Sequence, residues 1–77
     1  AIALDPQLAD GYVNLGRLLH QKGDAISAAA YYRRALECDP EDPVAHYNLA
    51  LAFEDQKRWE AALEEYQHAI RFAPDFA

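Results

Sequence analysis

Shifted by 34 residues, this 77-residue chain repeats its own pattern at the helical and punctuation positions. Residues 9–42 laid on 43–76 match Asn14 with Asn48, Leu15 with Leu49, Ala28 with Ala62, Tyr32 with Tyr66, Ala35 with Ala69 and Pro40 with Pro74. A repeat of this period constrains the fold more than any composition figure. One such unit cannot bury its apolar face alone and must stack against a neighbour. The register also runs backwards, setting Ala1 on Ala35, Asp5 on Asp39 and Pro6 on Pro40. Residues 1–8 therefore read as the tail of a preceding copy, 9–42 as a first repeat and 43–76 as a second.

Within a copy the apolar spacing is helical. Tyr12, Leu15, Gly16 and Leu19 fall at i, i+3, i+4 and i+7, and His46, Leu49, Ala50 and Phe53 repeat that stripe. A second stripe runs through Ala25, Ala28, Ala29, Tyr32, Ala35 and Leu36, with Trp59, Ala62, Leu63, Tyr66, Ala69 and Ile70 as its counterpart. Gly23-Asp24 supplies a left-handed stop followed by a helix cap, and Asp42-Pro43 supplies a cap followed by a first-turn proline. The expected helices are 9–22, 25–38, 43–56 and 59–72. At Gln56-Lys57-Arg58 lysine replaces the glycine and arginine the capping aspartate, so fraying is expected there.

Glycine inside a helix costs ~1 kcal/mol relative to alanine, so Gly16 in an apolar stripe needs a packing reason. Close approach of paired helices is that reason, with Gly16 or Ala50 expected to face Ala28 or Ala62.

Composition narrows the function. The chain is 52% apolar, yet it holds no apolar run near the ~18 residues that would cross a bilayer. Thirteen acids against seven bases give a net charge of -6, which repels phosphate backbones and argues against nucleic acid. The single cysteine, Cys38, reads as a small buried hydrophobe; it permits a reducing compartment, which favours a cytoplasmic location without fixing one. There is no initiator Met, leader or lipidation signal, as expected of an excerpt from a longer chain. His20, His46 and His68 lie on different faces or helices without metal-site spacing, and no phosphate loop or nucleophile motif occurs. Neither catalysis nor a cofactor is expected. Glu60, Glu64 and Glu65 read as a solvated face, and Trp59 as a packing residue.

Taken together, these residues resemble the tetratricopeptide repeat. That pattern of an aromatic, Leu, a small residue, an aromatic, Ala, an aromatic, Ala and Pro reads here as Tyr12, Leu15, Gly16, Leu19, Ala28, Tyr32, Ala35 and Pro40. In the second copy it reads His46, Leu49, Ala50, Phe53, Ala62, Tyr66, Ala69 and Pro74, with Leu19 and His46 departing from the aromatic preference. The resemblance implies an all-α fold, a right-handed α-solenoid of antiparallel helix-turn-helix repeats whose first helices line a concave groove. It also implies a protein-interaction scaffold that takes an extended peptide or partner helix in that groove.

The expected groove residues are Val13, Asn14, Arg17 and His20 on one first helix, and Val44, Tyr47, Asn48 and Leu51 on the next. Asn14 and Asn48 are the sharpest of these, because an amide both donates to and accepts from a peptide main chain. Some family members clamp a terminal carboxylate with lysines and asparagines across three first helices. Here Asn48 fits one clamp place, while Val13 and Arg17 stand where that clamp wants lysine and asparagine. Arg17 is expected to pair with Glu54 or Asp55, or with an acidic group on a ligand. Two repeats without a polar cap leave Leu63, Ile70 and Phe72 uncovered, which suggests head-to-tail self-association or further repeats. A third expectation is a substrate-docking arm of a larger enzyme such as a glycosyltransferase.

Overall fold

The computed structural model describes residues 6–73, with side chains from residue 8 onward. Four helices follow one another: α1 (Pro6–Gln21), α2 (Ala25–Cys38), α3 (Pro43–Asp55) and α4 (Trp59–Phe72). Expectations for residues 1–5, Pro74 and 75–77 lie outside the described residues.

α1 begins three residues before the expected start at 9. Proline explains the difference between the copies. Pro43 opens α3, and a helix begun at Pro40 would place Pro43 where an N–H is needed. Ala9 stands at the matching place in the first copy and imposes no such stop. Asp42 caps α3 by accepting from the Val44 amide at 3.0 Å, and Asp24 caps α2 by accepting from Ser27 at 3.1 Å.

The helices pack as successive layers. α1 lies on α2, α2 on α3 and α3 on α4; α1 also touches α3, whereas neither α1 nor α2 reaches α4. Contact therefore falls off along the chain, as in a quasi-one-dimensional stack. Small residues dominate the core: Ala28, Ala35, Ala45, Ala50 and Ala52 are fully buried.

Gly16 packs as its cost required, but against a different neighbour. A Cβ at residue 16 would sit 2.5 Å from Cε1 of Tyr32, so the tyrosine ring, not Ala28, occupies the space that glycine leaves. Tyr32 is fully buried as a result.

The α3–α4 turn is formed rather than frayed. Lys57 takes the left-handed conformation at φ 61°, and the Arg58 amide donates to Phe53 O at 2.9 Å. Gln56 adds side-chain donors to Ala52 O and Ala25 O, at 3.3 and 3.4 Å, tying the turn to the start of α2.

Two further expectations change. Trp59 is 61% exposed and does not pack. Glu65 is not solvated: its Oε1 lies 2.7 Å from Nδ1 of the buried His46, whose Nε2 donates to Pro40 O at 2.8 Å. His46 and His68, on different helices as expected, have ring centroids 5.1 Å apart, and the Phe72 ring stacks on both.

Candidate functional site

Helical spacing places Arg17, His20 and Gln21 on one side of α1, where α1 meets α3. These three, with Tyr32 of α2 and Asn48 of α3, line an open hollow of about 190 Å³. Tyr32 is held there by the gap at Gly16. Its hydroxyl is buried and has no hydrogen-bond partner among the described residues. Burial pushes the Tyr32 phenol up from its ordinary range, while the positive charge of Arg17 pulls the other way.

Arg17 is exposed and has no carboxylate within 4.0 Å among the described residues. Asp55, one of its expected neutralising partners, is hydrogen-bonded to His20 Nε2 instead. The Asn48 amide nitrogen donates 2.8 Å to Val44 O one turn earlier, so its oxygen is the atom left to accept. The hollow thus brings Arg17, Tyr32 and Asn48 together, with the exposed Arg17 as its charged member.

Of the eight residues expected in the groove, the structure brings Arg17, His20 and Asn48 together. Val13 is a correction: at 5% exposure it belongs to the core cluster and offers no groove surface. Asn14 is also moved. It lines a separate, largely apolar hollow with Leu8, Gly11, Tyr12, Leu15 and Leu18. The two asparagines share a repeat position but not a cavity. Val44 is 40% exposed, whereas Leu51 and Tyr47 are half-buried, the Tyr47 ring lying 5.8 Å from that of Tyr66. Burial, with the adjoining Glu54 carboxylate next in weight, pushes the Tyr66 phenol up to about 12.

Gln21 and Tyr32 are the hollow's remaining members. Gln21 was legible, four residues from Arg17 on the same face. Tyr32 sits in a packing stripe, and nothing in the pattern shows how far its ring reaches.

Among the described residues no three His, Cys, Asp or Glu side chains are grouped to hold a metal ion. Nor is any described helix long and apolar enough to cross a membrane.

Known proteins share this architecture. A family model described as TPR repeat matches residues 16–57, and one described as Tetratricopeptide repeat matches 43–76. Protein O-mannosyl-transferase TMTC1 of Homo sapiens is 37% identical over 67 residues, covering 87% of this chain and 8% of that protein. Intraflagellar transport protein 70A of Bos taurus is 37% identical over 70 residues, 86% of this chain and 10% of its own length. Type IV pilus assembly protein PilF of Pseudomonas aeruginosa is 38% identical over 61 residues, 79% of this chain and 24% of its own length. The chain therefore spans less than a quarter of each of these relatives. Two helix pairs repeating at 34 residues, and family models that together match residues 16–76, lead to one conclusion: this chain belongs to the tetratricopeptide repeat family.

Proposed function

We propose that the side of the stack where α1 meets α3 receives an extended peptide or partner helix, with the hollow at Arg17, Tyr32 and Asn48 seating one of its polar side chains. As a tetratricopeptide repeat chain the molecule is, in general terms, a protein-interaction scaffold, and repeats of this family are generally non-catalytic. The observation that carries the finer reading is Arg17, a cation without a carboxylate partner beside a buried, unpartnered hydroxyl. The exposed Arg17 guanidinium is a group that an acceptor on a ligand would satisfy, above the buried Tyr32 ring. His20 flanks the seat, while Val44, Tyr47 and Leu51 offer partly exposed apolar surface along α3. A peptide-library screen against the chain tests it. Arg17→Ala and Asn48→Ala are expected to weaken selected peptides with the helical signal intact, while Asn14→Ala leaves them bound. Unaltered affinity in Arg17→Ala would overturn the reading.

A second reading, stacking of the ends on further copies or repeats, has its own support. Leu49 is 3% exposed under its neighbour, whereas its repeat mate Leu15 is 47% exposed; Ala29 is 7% exposed, and its mate Leu63 58%. Sedimentation that depends on concentration would favour it, and a strict monomer at high concentration would count against it. The likeness to a protein named O-mannosyl-transferase supports a third, a docking arm for a larger enzyme. Identification of a catalytic domain in the parent protein would decide that.

A further inference from the structure

We propose that the seam between α2 and the α3–α4 turn docks a second ligand, an acidic peptide segment carrying a bulky apolar side chain. This surface shares no residue with the hollow at Arg17. An open cavity of about 280 Å³ lies there, lined by Ile26, Ala29, Arg33, Phe53 and Arg58 among others.

Three observations meet at this seam. The first is a pair of guanidinium groups held over one ring: the Arg33 and Arg58 carbons lie 5.7 and 5.1 Å from the Phe53 centroid. Contact with an aromatic ring positions a guanidinium without neutralising it. Its fork then stays available for two-point bonding to a carboxylate.

The second observation is charge. In a chain of net charge -6, none of Arg33, Lys57 and Arg58 has a carboxylate within 4.0 Å among the described residues. The nearby acids have other roles: Asp24 caps Ser27 and Asp55 bonds His20, while Glu60 is exposed in the first turn of α4. Cations grouped without a carboxylate in ion-pair contact, though Asp24, Asp55 and Glu60 line the adjoining hollows, fit an acidic partner, which they steer and orient.

Third, the cations are flanked by large apolar side chains in solvent. Ile26 is 72% exposed and Trp59 is 61% exposed; Trp59 lines an adjoining hollow that shares Arg58. Tryptophan and arginine are the residue types most often found to dominate binding energy at interfaces. A concave slot of this size suits one apolar side chain with carboxylates on either side. A nucleic acid or an anionic bilayer extends past the seam and meets the repulsion of the whole chain, whereas a short peptide meets chiefly the local cations.

Trp59 is the chain's single tryptophan and so reports directly on the seam. The experiment titrates the chain with the peptide Glu-Glu-Leu-Leu-Glu-Glu and reads tryptophan emission. A blue shift that weakens as sodium chloride is raised is expected. Replacing both guanidiniums, Arg33→Gln with Arg58→Gln, is expected to weaken binding about tenfold or more, with partial rescue by Arg33→Lys with Arg58→Lys. Circular dichroism checks the fold of each variant. Should the glutamine pair unfold, Ile26→Ser, at an exposed site, is expected to weaken binding several-fold by itself. Arg17→Ala leaves binding unchanged if the two surfaces are separate. Equal binding of Lys-Lys-Leu-Leu-Lys-Lys, a preference for phosphatidylserine vesicles or inorganic polyphosphate, indifference to these seam substitutions, or loss in Arg17→Ala would each overturn the proposal.

Discussion

The turns that join α1 to α2 and α3 to α4 have one backbone shape and two chemistries. In the first, Gly23 at φ 88° lets the Asp24 amide reach Leu19 O at 2.9 Å; in the second, Lys57 at φ 61° lets the Arg58 amide reach Phe53 O at the same 2.9 Å. Each residue of the second turn lies 34 positions after its mate. Packing of the helix pair therefore imposes the turn, and the local residues only set its cost. The difference has a use. Asp24 spends its carboxylate on the Ser27 amide, whereas Arg58 makes no side-chain cap and lies over Phe53 instead.

The interiors differ in the same way. Tyr12 stacks on Tyr31 at 6.2 Å in the first pair; at the matching places in the second, His46 meets Glu65 at 2.7 Å. The polar version is the more brittle, because removing one member strands the other. His46→Ala is expected to give the largest effect of any substitution here, a loss of about 3 kcal/mol, since it leaves Glu65 and Pro40 O without their partner. Tyr12→Ala removes an apolar contact and strands nothing, so about 1–2 kcal/mol is expected. Urea unfolding of both variants measures the contrast, and equal losses would break it.

Gly16 and Ala50 form the next contrast. With glycine the Tyr32 ring sinks to full burial; with alanine Tyr66 stays half-buried near Glu54. Gly16→Ala should force a buried ring aside and cost about 1–3 kcal/mol despite alanine's better helix propensity. Ala50→Gly should cost ~1 kcal/mol, from propensity and a small void. Because Tyr32 floors the hollow, Gly16→Ala is also expected to disturb ligand binding, whereas Ala50→Gly is not.

These contrasts mark where sequence reading succeeds and where it stops. The 34-residue register located all four helices, because spacing of apolar residues at 3.6 is a property of the chain alone. It missed the start of α1, which depends on whether residue 9 or 43 is proline. The second stripe places Trp59 where Ala25 stands in the first copy, yet Trp59 is 61% exposed, since a stripe identifies a face and not what covers it. Three of the eight expected groove residues share the hollow, since helical periodicity identifies a face but not which neighbour covers it. That is why Val13 is buried and Asn14 faces a different hollow from Asn48.

The turns give the next smaller effect. Lys57→Gly relieves a left-handed lysine and is expected to stabilise by ~0.5–1 kcal/mol, while Gly23→Ala should destabilise by a similar or larger amount. Arg58→Asp should add a cap worth ~1 kcal/mol, and by removing a guanidinium from Phe53 should weaken docking at the seam. Thermal unfolding measures the first two and peptide titration the last. If Lys57→Gly leaves the midpoint unmoved, the second turn carries no strain and the two turns are equivalent in cost as well as shape.

The smallest effect separates the two phenols of Tyr32 and Tyr66. Burial raises both, but the nearby charge differs in sign: Arg17 lowers Tyr32, whereas Glu54 raises Tyr66 further, to about 12 against an ordinary 10.0. An unfolded chain releases this proton near pH 10.0, while the folded chain holds it until about 12, so above pH 10 unfolding releases protons. The stabilisation is complete below pH 10 and is lost as pH rises toward 12. A fall in melting temperature across that interval is expected, and Tyr66→Phe should flatten it more than Tyr32→Phe. Equal flattening would mean that burial alone sets both phenols and that the charges around the two repeats are interchangeable.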